Sequence, residues 1–291
     1  MQLKHHLMAI FVAMIWGLDF VAAKAALQHF PLFFFLFLRF SLAFLLMFPF
    51  HHRLPIPLKK LAPIAFTLAF MHMGMIYLAI YMGLNASIAV LATQLRVPFA
   101  LLLAVIVLGE TIKWRSITGI FVSVLGALFL AGAPNVLSHW WAFLVAMGGA
   151  LGWAIYNTQM KKIGEISYFA LIAWISLLSA PLMLLISLSL ETGQLEKLQT
   201  VTWPAAVSLV YVVAFSTILS HSLWYKLLSQ FPVNHVVPYT LLVPLFGASA
   251  AAIVFNEPMS WPTIIGGMMT LVGVGIVVWR RPGVLGRRQD S

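Results

Sequence analysis

The 291-residue chain is 62% hydrophobic and only 8% charged. A soluble domain is roughly 45–50% apolar and about 25% charged, so this chain cannot cover itself with a surface that faces water. Its formal charge of +10 would suggest nucleic acid in a soluble protein, but in a membrane protein it indicates orientation, and we expect no nucleic-acid partner. The absence of Cys excludes disulfides, thiol chemistry and Cys-based metal sites.

Ten apolar segments are long enough to cross a bilayer. A spanning helix needs about 20 mostly apolar residues, and we divided the sequence where charges, Pro, Gly or Asn cluster. The segments are approximately 7–27, 32–50, 61–82, 86–108, 116–133, 140–160, 168–190, 203–228, 236–255 and 261–279. The sequence therefore predicts an all-α integral membrane protein with ten transmembrane helices, whose main partner is the lipid bilayer.

The loops between these segments alternate in charge. If the N-terminus is cytoplasmic, Lys197 is the one basic loop residue outside, and the others lie inside. Those inside are Lys4, Arg53, Lys59, Lys60, Lys113, Arg115, Lys161, Lys162, Lys226, Arg280, Arg281, Arg287 and Arg288. Basic residues collect in cytoplasmic loops, so the sequence predicts that both termini face the cytoplasm.

One sequence pattern occurs twice. Its two copies have the same spacing and are Glu110, Trp114, Gly119 and Gly126, then Glu257, Trp261, Gly266 and Gly273. Further matches are Pro98 with Pro244, and Trp16 and Lys24 with Trp153 and Lys161. Each copy holds five segments, an odd number, so the second enters the membrane inverted. We predict two inverted-topology repeats, residues 1–135 and 136–291, an organisation typical of secondary transporters.

The sequence resembles the EamA group of the drug/metabolite transporter superfamily along its whole length. The motifs that carry the resemblance are Trp16-Gly17-Leu18-Asp19-Phe20 with Lys24, Leu38-Arg39-Phe40, Gly109-Glu110, and Leu241-Leu242-Val243-Pro244 followed by Asn256-Glu257. The resemblance implies a ten-helix basket around a central cavity and export of amino acids or related metabolites across the bacterial inner membrane. The stretch PYTLLVP at 238–244 looks most like members that export cysteine and O-acetylserine. Asp19 departs from the family pattern, which usually has Asn there.

Two pairs of polar residues lie at matching depths inside the predicted spans. Asp19 and Arg39 are equally far from the turn near His29, which places each about 15 Å along its helix. They can form an ion pair. This pair is either a structural clamp, or Asp19 binds a substrate amino group or a proton while Arg39 adjusts the proton affinity of Asp19. His72 and Arg96 are likewise level and form the second pair.

Arg96 is the candidate for binding a substrate carboxylate, because a guanidinium fork matches a carboxylate bidentately. The alternatives are that Asp19 reaches it, or that a carbonyl freed by Pro98 satisfies it. Pro98 and Pro244 each break one backbone hydrogen bond, and these kinks are candidate cavity walls.

Several other residues combine apolar and polar character at depth. His72 and His221 are read either as hydrogen-bonded packing residues or as groups for proton coupling, so the sequence leaves open whether protons are a partner. Trp153, Tyr156 and Asn157 share a helix face, which suits a zwitterionic substrate or simple packing. The substrate-binding candidates are Asp19, His72, Tyr77, Gln94, Arg96, Trp153, Tyr156, Asn157, His221, Trp224 and Tyr225, and the structural or coupling candidates are Lys24, Arg39, Pro98, Glu110, Pro244 and Glu257.

Glu110 and Glu257 each precede a predicted helix, where an anion favours the helix dipole, and closure of a gate is the alternative. The His pairs at 5–6 and 51–52 lack carboxylates, so we predict no metal and no cofactor. An intramembrane enzyme would need a nucleophile with its base or a metal cluster, and the sequence offers neither. The favoured function is a monomeric secondary transporter of small zwitterions; transport of a vitamin, nucleotide-like or drug-like solute is the alternative, and a receptor is a third.

Overall fold

The computed structural model describes residues 2–50, 56–108, 114–163, 167–231 and 236–278, and within them every regular element is helical. We label ten long helices. They are α1 (Leu3–Leu27), α2 (Leu32–Met47), α3 (Leu58–Phe66, Thr67–Gly74 and Met75–Tyr81), α4 (Ala86–Ala92, Thr93–Leu95 and Arg96–Leu108), α5 (Trp114–Ala131), α6 (Trp140–Ile163), α7 (Tyr168–Leu190), α8 (Trp203–Val210, Tyr211–Leu219 and Ser220–Gln230), α9 (Val237–Leu241 and Leu242–Phe255) and α10 (Trp261–Val278). The short helices Phe48–Phe50, Pro134–Ser138 and Gln194–Gln199 lie between them.

The described helices include several with the length and composition of membrane spans. Six meet both criteria, namely Leu3–Leu27, Leu58–Tyr81, Ala86–Leu103, Trp114–Ala131, Phe169–Leu190 and Trp203–Trp224. Leu32–Met47, Tyr239–Phe255 and Trp261–Val277 are apolar but shorter. The prediction of an all-α chain with many apolar helices is therefore confirmed, and the crossing of the bilayer by all ten remains a prediction.

Four helices depart from regular α geometry along part of their length. The segments Thr67–Gly74 of α3 and Tyr211–Leu219 of α8 are π-helical, a geometry that is frequent at functional sites. The segments Thr93–Leu95 of α4 and Val237–Leu241 of α9 are 3₁₀-helical and each precedes a proline. Because proline has no N–H and clashes with the carbonyl four residues earlier, it disturbs the preceding turn.

The tightest helix contact joins α5 to α10, which run antiparallel. A Cβ on Gly119 would lie 2.6 Å from the carbonyl oxygen of Gly273, and a Cβ on Gly126 would lie 2.7 Å from that of Gly266. Only glycine lets the two backbones approach so closely, and small residues at helix interfaces are the usual means of packing helices in lipid. The glycines of the repeated sequence pattern therefore pack against each other.

The remaining helices form two groups of three and one further pair. α1 packs on α8 and α9, α6 packs on α3 and α4, and α2 packs along α7. The largest buried cluster is rich in the phenylalanines of α2. The two groups meet directly, because α9 also packs on the first segment of α4, Ala86–Ala92.

Two alanine substitutions on α10 test the contact with α5. In Gly273→Ala the new Cβ would lie 2.5 Å from the Ser123 nitrogen, whereas in Gly275→Ala its nearest neighbour is a Leu241 methyl group 3.8 Å away. We expect Gly273→Ala to lower the free energy of unfolding by about 1–3 kcal/mol, as overpacking does, and Gly275→Ala to leave it nearly unchanged. Thermal unfolding in detergent measures both, and equal melting temperatures would contradict the expectation.

Candidate functional site

A cavity of about 70 Å³ lies at the centre of the bundle, lined by α1, α2, α3, α4, α6, α8 and α9. Seven of the residues selected from the sequence line it, namely Asp19, Arg39, His72, Tyr77, Arg96, Trp153 and His221. Typical small-molecule pockets measure roughly 300–1,000 Å³. The cavity can therefore hold ordered water but must widen to admit a metabolite.

Asp19 and Arg39 are in contact, as the hairpin geometry predicts. Arg39 Nη1 donates to Asp19 Oδ1 at 3.3 Å, and the Tyr77 hydroxyl donates to Asp19 Oδ2 at 2.7 Å. Arg39 also donates to the Tyr77 hydroxyl and, through Nε at 3.2 Å, to Thr217 Oγ1. The Arg39 residue is only 1% exposed, and these bonds compensate its buried charge. Arg39 thus joins α2 to α1, α3 and α8, and both Arg39 and Asp19 line the cavity.

Arg96 differs from Arg39 in its surroundings. Its guanidinium lies 5.6 Å from the centre of the Trp153 ring, a cation–π distance. The described part of the chain gives this guanidinium no hydrogen bond and no ion pair. Arg96 therefore presents a cation to the cavity with its donors available.

The histidines on the two π-helical regions are each held by a backbone carbonyl. His72 Nδ1 lies 2.9 Å from the Gly149 oxygen, and His221 Nδ1 lies 2.9 Å from the Ser216 oxygen. A carbonyl only accepts, so Nδ1 carries the proton in both rings, which assigns their neutral tautomers. The sequence places His72 level with Arg96, and both do line the cavity, but His72 bonds to Gly149 instead of to Arg96.

Gln94 has a structural contact that the sequence analysis missed. Its Nε2 donates to the carbonyl oxygen of Thr240 at 3.3 Å. Pro244 lies four residues after Thr240 and cannot donate the helical hydrogen bond that this carbonyl would receive. Gln94 does not line the cavity, and its side chain instead joins α4 to the Thr240 carbonyl in α9.

The aromatic candidates divide between the cavity and its surroundings. Trp153 lines the cavity. Tyr156 packs behind Trp153, and the centres of the two rings are 5.5 Å apart. Asn157 is exposed, and its amide donates to the Trp153 carbonyl, so its expected position on the cavity is wrong. Trp224 lies in a second layer behind Trp16, and Tyr225 belongs to α8, with its side chain outside the described part.

The two prolines do not both form the cavity wall. Pro98 lines a separate groove of about 370 Å³, entirely apolar, between α4, α5 and α6. Pro244 is buried in α9 next to Val243, which does line the central cavity. The expectation of two symmetric cavity walls is therefore wrong for Pro98, because Pro98 lines this groove and not the central cavity.

Glu257 does stabilise a helix N-terminus, but not that of the helix following it. Its Oε1 and Oε2 accept hydrogen bonds from the amides of Ala86 and Ser87, each at 2.9 Å, at the start of α4. Lys24 Nζ lies 2.6 Å from Oε1. Burial would raise the pKa of Glu257, but the bonds from Lys24 and the two amides outweigh it and hold that pKa below its usual value. Glu110, its partner in the repeated pattern, lies outside the described residues.

Two further residues with notable contacts were not selected as candidates from the sequence. Trp16 lines the cavity, and its indole N–H is buried without a hydrogen-bond partner among the described residues. Its position three residues before Asp19, on one face of α1, is a signal that could have identified it. Glu191 accepts hydrogen bonds from the amides of Phe33 and Phe34 at the start of α2, and no local pattern marks this long-range contact.

Removing one partner of the buried pair tests the clamp. Arg39→Met leaves Asp19 without its cation, and we expect a loss of about 3–5 kcal/mol in the free energy of unfolding. Adding Asp19→Asn removes the second charge, so the double variant should recover much of that stability. Thermal unfolding of the unmodified protein and of both variants measures this, and a double variant less stable than Arg39→Met would contradict the clamp.

Comparison with known proteins agrees with this architecture. The EamA-like transporter family matches residues 3–132 and 140–279. The "Probable amino-acid metabolite efflux pump" of Salmonella typhimurium (strain LT2) is 30% identical, covering 96% of both chains, and the protein of the same description in Escherichia coli (strain K12) is 28% identical over 97% of this chain and 98% of its own. One crystal structure has the same fold, with a TM-score of 0.64 and 16% identity over 94% of this chain and 96% of its own. The chain therefore belongs to the EamA-like transporter family, and it is a membrane transporter and not an enzyme.

Proposed function

We propose that this protein exports small amino acids or closely related metabolites across the bacterial inner membrane by alternating access. The observation that carries the proposal is the guanidinium of Arg96, which lines the central cavity and forms no ion pair within the described part of the chain. A buried cation is costly in a membrane, and a carboxylate ligand would compensate it. Two relatives described as amino-acid metabolite efflux pumps support this class of substrate and the direction of transport.

The rest of the cavity wall suits a zwitterion. Asp19 lies on the same wall as Arg96, so the cavity offers an anion for an ammonium group as well as a cation for a carboxylate. Trp16 and Trp153 add apolar surface for a modest side chain. Cysteine and O-acetylserine are the first substrates to test, because both are small zwitterions and the stretch 238–244 resembles exporters of these compounds.

Alternating access is supported by the twofold pattern of the chain. The family matches two segments, residues 3–132 and 140–279. The third helix of each half contains a π-helical segment, and the fourth contains a 3₁₀ segment before a proline. We infer that residues 1–135 and 136–291 are inverted repeats, whose exchange of conformation would open the cavity to one face and then to the other.

The carboxylate role of Arg96 is tested by counterflow in liposomes with labelled cysteine and O-acetylserine. We expect Arg96→Ala to abolish counterflow, because it removes the bidentate donor, and Arg96→Lys to retain part of it. Lys197→Ala is the matched control, since it removes a cation from a loop far from the cavity. Thermal unfolding establishes that each variant folds, and undiminished counterflow in folded Arg96→Ala would contradict the role.

Single cysteines test the orientation, since the chain has none of its own. Leu195 is 68% exposed in the short helix Gln194–Gln199, and Lys59 is exposed at the start of α3. With cytoplasmic termini, an impermeant maleimide added to intact cells should label Leu195→Cys and not Lys59→Cys. The reverse pattern would overturn the orientation.

A further inference from the structure

Glu257 joins three separate parts of the bundle at one end. It follows α9 and accepts hydrogen bonds from Lys24 on α1 and from the amides of Ala86 and Ser87 on α4. Asn85, which precedes α4, provides no side-chain cap of its own. The first amides of α4 therefore depend on a carboxylate that follows α9.

Lys24 and Glu257 belong to the same group. α1 and α9 contact each other along their length, with His6 bonded to Tyr239 at one end and Lys24 bonded to Glu257 at the other. Between these ends, a Cβ on Gly17 would lie 2.7 Å from the α9 backbone. α1 and α9 are thus in close backbone contact, and the Lys24 ion pair lies within this pair. The two amide bonds, by contrast, join the end of α9 to the first segment of α4, Ala86–Ala92, which also packs on α9.

We propose that Glu257 is the gate residue that holds this end of the cavity closed, and that its bonds to Ala86 and Ser87 must break for the cavity to open there. The proposal rests on the alternating access proposed above. It assigns the two contacts different roles. The amide bonds close the gate between α9 and α4, whereas Lys24 holds the Glu257 carboxylate in position from α1, which moves with α9.

Glu191 is a matched control for the chemistry of the gate. It accepts hydrogen bonds from the amides of Phe33 at 2.8 Å and Phe34 at 3.0 Å, so it too is a carboxylate at a helix N-terminus. It follows α7 and binds α2, and these two helices pack along each other as one pair. Losing this contact should weaken the α2–α7 pair without opening the central cavity.

Accessibility of a cysteine in the cavity measures opening without any substrate. The small residue Ser216 lines the cavity and is buried, so Ser216→Cys is the reporter, labelled by an impermeant maleimide from the face that carries Glu257. We expect Glu257→Gln to speed labelling by about tenfold, the population shift that loss of a charge-assisted hydrogen bond produces. Glu191→Gln should leave the rate unchanged. An unchanged rate in Glu257→Gln, or an equal rise in Glu191→Gln, would overturn the proposal.

Two further variants separate the amide bonds from the ion pair. Ala86→Pro removes one amide donor without changing Glu257, at the first position of α4, where proline fits a helix. It should also speed labelling. The exchange Lys24→Glu with Glu257→Lys restores an ion pair but offers no acceptor to α4, so labelling should stay fast. If the exchange variant were labelled as slowly as the protein with the native Lys24 and Glu257, the ion pair alone would close the cavity. That result would overturn the proposal.

The labelling readout is independent of the proposed substrate. If the protein carries out no counterflow of amino acids but Glu257→Gln still speeds labelling, the substrate proposal fails and the gate stands. If counterflow occurs and labelling does not change in folded Glu257→Gln, the gate fails and the substrate proposal stands. Thermal unfolding of each variant identifies those that fold.

Discussion

Hydrocarbon offers no hydrogen bonds, so every polar group inside the membrane has to find its partner within the protein. This constraint explains the internal contacts of the bundle. The carbonyl of Thr240 loses its helical donor to Pro244 and receives one from Gln94 instead. The charge of Arg39 is compensated by Asp19 and two hydroxyl groups. Among the described residues a few buried polar atoms have no partner, such as the indole nitrogen of Trp16. The guanidinium of Arg96 differs from these because it carries a charge, and it is the group on which the proposed function depends.

The features that the sequence predicts well are those set by local pattern. Hydropathy locates the helices because a spanning helix needs a minimum run of apolar residues, whatever its neighbours are. The Asp19–Arg39 contact is predictable because a tight turn fixes two adjacent helices at matching depth. The repeated glycines predict a close helix contact, and Gly119 and Gly273 do meet.

The features that the sequence misses depend on how distant helices meet. Glu257 precedes α10, so the dipole of that helix is its nearest apparent partner, yet the fold brings the start of α4 to its carboxylate. Asn157 shares a helix face with Trp153 in the sequence, but the rotation of α6 leaves it exposed. The spacing of residues in the sequence determines neither the rotation of a helix nor the contacts between the two halves of the chain.

In the proposed transport cycle, opening of the end that Glu257 closes is energetically coupled to ligand binding at Arg96. Breaking the bonds from Glu257 to α4 costs free energy, because it exposes two helix amides and a carboxylate. A ligand can shift such an equilibrium only by as much as it prefers one state over the other. A carboxylate that meets Arg96 in the widened cavity supplies that preference, since the cavity of about 70 Å³ in the present state is too small to hold the whole zwitterion. Substrate binding, and not the empty protein, would then drive opening.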